Sequence, residues 1–255
     1  MGRTDRPSIS KKLGRHFLTD RIRPEVDWWN TPQSRGEPPP PVQKPVLPEA
    51  AIIPLPPRGA WQIPPCDLVD AIARRESRRA FRPEPLALDE LAFLLWATQG
   101  IRARLHEAAV LRTVPSAGCR HPFETYLIAL NVTGLEPAIY RYLSLDDALV
   151  RERTVPNLAH ALAAAAHGQR FAGEAAVTFA WTALPARTEW RYAEASYKVI
   201  ALDAGHVCQN LYLACEAIGA GTCAIAAYRQ ELMDELLQVD GNEEFTVYLA
   251  PVGKV

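Results

Sequence analysis

Prolines are spread so unevenly that they divide the chain before any other feature is weighed. Fourteen of the 22 lie in residues 1–65, with Pro38 to Pro41 consecutive. Proline fixes φ and has no N–H to donate, so this stretch cannot form continuous helix or an inner strand. The expectation is an extended Pro-rich arm over residues 1–65 and one domain over residues 66–255. His16, Phe17, Trp28 and Trp29 lie in the arm. A solvated linker has no use for them, so parts of the arm are expected to pack along the main body or a partner subunit. The first ten residues are expected to be a solvated polyproline-type tail.

The remaining composition removes several function classes. With 28 basic and 29 acidic residues, the formal charge is −1, which gives no global attraction to nucleic acid or an anionic membrane surface. Cys66, Cys119, Cys208, Cys215 and Cys223 show no CxxC spacing, favouring reduced thiols in a cytoplasm over a disulfide framework or a zinc site. No apolar run reaches about 18 residues, so no membrane span is expected, and the polar N-terminus lacks the apolar segment of a secretory signal.

From Asp67 the pattern turns helical and ends in Arg74, Arg75, Arg78 and Arg79 around Ser77. Four guanidinium groups there make either a phosphate cradle or a solvated basic turn tied to Glu76. A helix over Leu88–Gln99 stops at Gly100, and residues 102–112 read as a mobile surface connection. The stretch RTVPSAGCRHPFETYLIAL (Arg112 to Leu130) joins a small-residue turn to a strand buried on both faces. Pro115 holds Val114 extended, and Ser116, Ala117 and Gly118 leave room for backbone N–H groups to approach a ligand.

Beyond it, strands are expected at Ile139–Leu143, Ala175–Thr182, Cys223–Ala227 and Phe245–Val252. Helices are expected over 157–166, 196–218 and 230–239. GAGTCAIAAY (Gly219 to Tyr228) has glycines like a dinucleotide-binding turn, but it leaves a helix and enters a strand, the reverse of what that turn requires. The fold class is α+β, an α/β sandwich with a central mixed, mainly antiparallel sheet and helices on both faces.

RRESRRAF (Arg74 to Phe81), the Pro-Ser-Ala-Gly turn, the long helix with GAGTCAIAAY after it, and EFTVYLAPVG near the end occur in that order. Together they resemble the nitroreductase superfamily, and within it the SagB-type or thiazole/oxazole dehydrogenase-like branch. The resemblance implies non-covalent FMN at the interface of an intertwined homodimer, with both subunits supplying residues. Arg75 and Ser77 match phosphate or ribityl contacts and Arg79 a cation at the flavin pyrimidine edge. Pro115, Ser116, Ala117 and Gly118 match a loop that reaches the flavin from the partner subunit. Ala226 and Ala227 match the backbone passing flavin N5; where the family carries C-terminal basic residues that contact the phosphate this chain has only Lys254, so either Lys254 substitutes for them or the arginine cluster suffices. Arg191 and Tyr192 match the Lys-Tyr pair at the substrate face and are the catalytic candidates. An arginine cannot act there as a general base near neutral pH.

The implied function is FMN-dependent transfer of a hydride between flavin N5 and a small organic substrate, with NAD(P)H as donor. The alternatives are a peptide azoline dehydrogenase and a catalytically inert flavin-binding scaffold. Cys119 beside Arg120 and His121 also raises a nucleophilic thiol, without an evident third group to orient it.

Overall fold

The computed structural model describes residues 11–106 and 108–255. In chain order the elements are α1 (Lys11–Leu18), β1 (Ile52–Pro54), α2 (Leu68–Arg74), α3 (Leu88–Gln99), β2 (Ile101–His106), β3 (Ala109–Arg112), β4 (Phe123–Ala129), β5 (Ala138–Leu143), β6 (Ala148–Arg153), α4 (Leu158–Ala165), α5 (Phe171–Glu174), β7 (Val177–Ala183), α6 (Ala186–Tyr192), α7 (Ser196–Ala217), β8 (Ala220–Thr222), α8 (Gln230–Leu237) and β9 (Phe245–Lys254). Seven strands form one sheet in the order β1, β6, β5, β4, β7, β9, β8, and all its strand pairings are antiparallel. Among the described residues, no helix is long and apolar enough to cross a membrane.

Every residue of β4 is buried, yet successive side chains serve different cores. Phe123, Leu127 and Ala129 pack with Leu91, Leu95, Val207 and Leu211 of α3 and α7. Tyr126 and Ile128 point the other way, toward Leu158, Leu162, Met233 and Leu236 of α4 and α8. This alternation explains why a strand in the middle of a two-faced sandwich reads as an unbroken apolar run.

Within the segment expected to be an extended arm, residues 11–18 are helical and β1 is an edge strand paired with β6. The tail expected over the first ten residues lies outside the described residues. Between these elements Pro41–Pro45 lies along the sheet, held by buried arginines. Arg187 Nε donates to the Pro41 carbonyl at 2.9 Å, Arg112 Nη2 to Val42 at 3.1 Å, and Arg141 to the carbonyls of Lys44 and Pro45 at 3.0 Å each. Prolines bring carbonyls without matching N–H groups, and side-chain donors from the body meet that imbalance. Trp61 packs on Phe93 and Trp96, whereas Trp29 is 91% exposed within the chain.

Two local expectations are corrected. Residues 102–112 are not an irregular connection; β2 and β3 pair as an antiparallel hairpin, whose far strand ends at Arg112, a buried side chain bonded to Gln99, Ser144 and Val42. The strand after Gly219 covers Ala220–Thr222, not Cys223–Ala227. The ladder breaks opposite Pro251, which has no N–H to donate, and the chain touches β9 again at Ile225 opposite Leu249; the Ala224 N–H, which faces away from β9, is taken by the Tyr212 hydroxyl at 2.9 Å.

Candidate active site

Two clusters collect the residues singled out in the sequence, and α7 separates them. The first lies where the segment after α2 runs beside β8. Ser77 bridges Thr222, and the Arg78 N–H donates to the Thr222 carbonyl at 2.9 Å. A Cβ on Gly221 would stand 2.4 Å from Arg78 Cγ, so only glycine lets this arginine-rich segment lie against the strand. The Ser77 hydroxyl is 3.0 Å from the Tyr212 hydroxyl, and the Arg75 guanidinium lies 5.3 Å from the centre of the Tyr212 ring.

The arginines of this segment divide by partner. Arg74 pairs with Glu216, Arg78 with Glu76 and Arg82 with Glu84. Among the described residues, no carboxylate lies within ion-pair reach of Arg75 or Arg79. These are the two arginines of the Arg-x-Ser-x-Arg pattern. Ala226 and Ala227 are exposed beyond Ala224. Among the described residues their N–H groups donate to no acceptor, while the Ala227 carbonyl accepts from Gln169 at 3.0 Å. Lys254 is already engaged, with its ammonium on Glu90 at 2.5 Å and on the Ile218 carbonyl at 2.7 Å. Tyr212 was not legible from the sequence, because on a helix apolar on most sides it reads as core.

The second cluster surrounds the Pro-Ser-Ala-Gly turn. The Ser116 hydroxyl donates to Asp203 Oδ2 at 2.6 Å, and the Ala117 N–H reaches both carboxylate oxygens at 3.2–3.3 Å. Ser116 Oγ in turn accepts the His121 N–H at 2.9 Å. Gly118, Cys119 and His121 have φ of +56°, +54° and +47°, so the turn is wound left-handed through residues that disfavour it. Arg191 and Tyr192 cover Gly118. A Cβ there would meet Arg191 Cδ and Tyr192 Oη at 2.8 Å each. Ala193, the next residue, also takes a positive φ of +43°. Asp203 is the group that shapes this turn, and burial raises its carboxyl above the ordinary range.

Arg120 is buried, donates to the Arg187 carbonyl at 2.9 Å and stacks over Trp190 at 4.6 Å. His121 is buried as well, and desolvation, with Arg112 and Arg120 beside it, pushes its imidazole down to about 3. Among the described residues no hydrogen bond joins it to Cys119. The thiol reading therefore has no geometric support.

Asp203 and Tyr212 are nine residues apart on one helix, which places them about 13 Å apart along its axis and half a turn round it. The two clusters thus face opposite sides of α7 within one chain.

The sequence model of the nitroreductase family matches residues 72–254. MJ1384 of Methanocaldococcus jannaschii, which carries a provisional nitroreductase name, is 32% identical over 187 residues, covering 73% of this chain and 90% of its own. A provisionally named nitroreductase structure from Ralstonia eutropha JMP134 is 25% identical with a TM-score of 0.66, covering 86% of this chain and 98% of that one. Another from Anabaena variabilis is 27% identical with a TM-score of 0.63, over 74% of this chain but only 38% of its own length. Two further likenesses concern the fold alone. A chain of the Escherichia coli microcin synthetase McbBCD complex, with truncated pro-MccB17 bound, has a TM-score of 0.59 and 17% identity over 98% of both chains. A nitroreductase-named structure from Exiguobacterium sibiricum in complex with FMN has a TM-score of 0.54 and 15% identity over 75% of this chain and 89% of that one. The arginine-serine segment and the glycine turn both lie inside the matched region of a sheet that these relatives share, and the chain belongs to the nitroreductase family.

Proposed function

We propose that this protein is a homodimeric FMN-dependent oxidoreductase that moves a hydride between a nicotinamide donor and a small organic acceptor. The observation that carries the reading is the placement of the two clusters on opposite sides of α7. A site that uses both must take one from each of two copies. Exposed Leu68, Val69 and Ile72 on α2 and Leu202 on α7 supply apolar surface for such an association.

The residues suit FMN. Arg75 and Arg79, without carboxylate partners, offer charge to a phosphate and to the pyrimidine edge, and Ser77 adds a hydroxyl. The free N–H groups of Ala226 and Ala227 suit a ring nitrogen acceptor. Gly118 permits close approach of backbone. Bound FMN would supply a reversible hydride acceptor at N5. Tyr192, held over Gly118, would present a hydroxyl able to orient the acceptor or donate a proton to it. Arg191 offers a guanidinium, which donates hydrogen bonds and cannot accept a proton as a base.

Peptide azoline oxidation would require a base where Arg191 stands, so the small-molecule reading is preferred. Loss of two mass units from a thiazoline peptide incubated with the protein would reverse that preference. The primary test is an absorbance spectrum of the purified protein before and after anaerobic NADH or NADPH, with sedimentation to give the oligomeric state. Flavin bands that bleach in a dimer are expected. A monomer, or a protein that takes up no FMN, would overturn the reading.

A further inference from the structure

Beside the glycine turn sits an excess of positive charge that no carboxylate among the described residues pairs with. Arg120 is 6% exposed, yet among the described residues it has no ion-pair partner. Desolvation pushes its guanidinium down, and the charges of Arg191 and then Arg187 push further the same way, so cations crowd it. Arg191 is exposed, its stem covers Gly118, and among the described residues it makes no hydrogen bond or ion pair. Three neighbouring acids are committed elsewhere. Glu124 pairs with Arg187 and Arg141, Glu189 faces Tyr197, and Asp203 is bonded to the turn. Buried charge without a counterion is costly, and an unrelieved pair of guanidiniums is the complement of an anion.

We infer that this site selects organic substrates bearing a carboxylate, with Arg191 as the group that binds it and Arg120 as a fixed charge behind it. The inference rests on the proposed flavin site only in taking Arg191 to line the substrate face. It extends that reading by naming the substrate class. The planar guanidinium pairs with a carboxylate through two N–H donors, which explains an arginine where a lysine-type base would be of no use for binding geometry. The Trp190 ring beneath Arg120 keeps that cation in place without neutralising it.

The test uses benzoate and benzyl alcohol as matched probes in equilibrium titrations of the purified full-length protein, with Arg191→Gln and Arg191→Glu alongside. The same variants are compared by the ratio of kcat/KM for 4-nitrobenzoate to that for 4-nitrobenzyl alcohol. Wild type should prefer the carboxylate in both assays. Arg191→Gln should reduce the preference about 10- to 100-fold, the range of a charged hydrogen bond. Arg191→Glu should invert it, so that the alcohol is preferred to the carboxylate. Wild type without a preference, or a preference that survives in Arg191→Gln, would overturn the inference. Since a phosphate could use the same charge, KM for NADPH relative to NADH is measured too. A loss confined to NADPH would assign Arg191 to the donor's phosphate and likewise overturn it. Arg191-dependent benzoate binding in a protein that no nicotinamide bleaches would support the inference while removing the proposed reaction, so the two fail separately.

Discussion

Asp203 of α7 and Ser116 of the glycine turn are joined by a 2.6 Å hydrogen bond, and the same carboxylate receives the Ala117 N–H. The serine hydroxyl that the family pattern offers to a ligand is therefore used within the chain, as a link between the turn and the longest helix. Asp203→Ala would leave two sequestered donors without an acceptor, at about 1–3 kcal/mol for each. The expected outcome is a lower melting temperature together with weaker FMN retention, read by thermal denaturation and by flavin fluorescence on titration. Asp203→Asn, with one oxygen still placed to accept, should lose less of both.

Gly118 is tested by a single methyl group. At φ +56° an alanine is disfavoured by roughly 1–2 kcal/mol, and its Cβ would press on Arg191 and Tyr192. Gly118→Ala should displace both side chains, so the loss in kcat/KM should exceed what the modest loss of stability explains. Activity close to wild type would show that neither side chain acts near this turn.

Much of the architecture was legible because its elements carry ordinary signals. Leu88–Gln99 was read to the residue, since Gly100 ends an apolar-faced helix, and β4 was read from its unbroken apolar run. The hairpin of β2 and β3 was not legible, because Arg102, Arg104 and His106 suggest a solvated loop and the residue that fixes its register, Arg112, looks from sequence like another surface charge. The glycine turn was identified by its small side chains, while the role of Asp203 depends on a contact 87 residues away that no local pattern records. The strand after Gly219 was misplaced for a similar reason. Its ladder with β9 breaks opposite Pro251, distant in the chain, which lacks the N–H that would continue it.

The arginines after α2 give a comparison with an internal control. Arg75→Ala and Arg79→Ala should each weaken FMN binding about 10-fold or more, given the worth of a charged hydrogen bond. Arg82→Ala removes a guanidinium already paired with Glu84 and should leave FMN affinity within about 2-fold of wild type, as expected for a surface pair. Equal losses in all three would mean that the segment contributes only diffuse charge. Titration of the flavin-stripped protein with FMN distinguishes the outcomes.

His121 predicts a pH dependence. Its folded value lies near 3, mainly through desolvation, against an ordinary value of 6.5, so between these limits the unfolded chain binds the proton and the folded one does not. This contribution to stability is complete above pH 6.5 and declines as pH falls toward 3, by at most about 1.4 kcal/mol per pH unit. Carboxylates add their own slope below pH 5, so the comparison is with His121→Asn. Asparagine tolerates the positive φ at this position and does not titrate. Urea denaturation at pH 7, 6 and 5 should show the wild type losing more stability than the variant across that interval.

Arg187 is the strongest test of how the proline-rich segment is held. It is 2% exposed, and it joins the Glu124 carboxylate at 2.5 Å to the Pro41 carbonyl at 2.9 Å. Removing it leaves Glu124 buried with Arg141 at 3.7 Å and the Lys44 N–H at 2.9 Å as its remaining support. Loss of one partner from a buried pair costs about 3–5 kcal/mol, because the remaining charge cannot regain water. Lysine would keep the charge but could not span both acceptors with a single nitrogen, so Arg187→Lys should recover only part of the loss. Since Arg141 shares Glu124, the double variant Arg187→Ala/Arg141→Ala should depart from additivity. Denaturation gives the energies, and limited proteolysis reports the segment itself. If the arginines clamp the backbone, cleavage near residues 38–45 should accelerate in Arg187→Ala at denaturant concentrations where the sheet is still folded. Unchanged cleavage would mean that β1 pairing and the packing of Trp61 suffice to hold the segment, with the buried arginines serving the sheet alone.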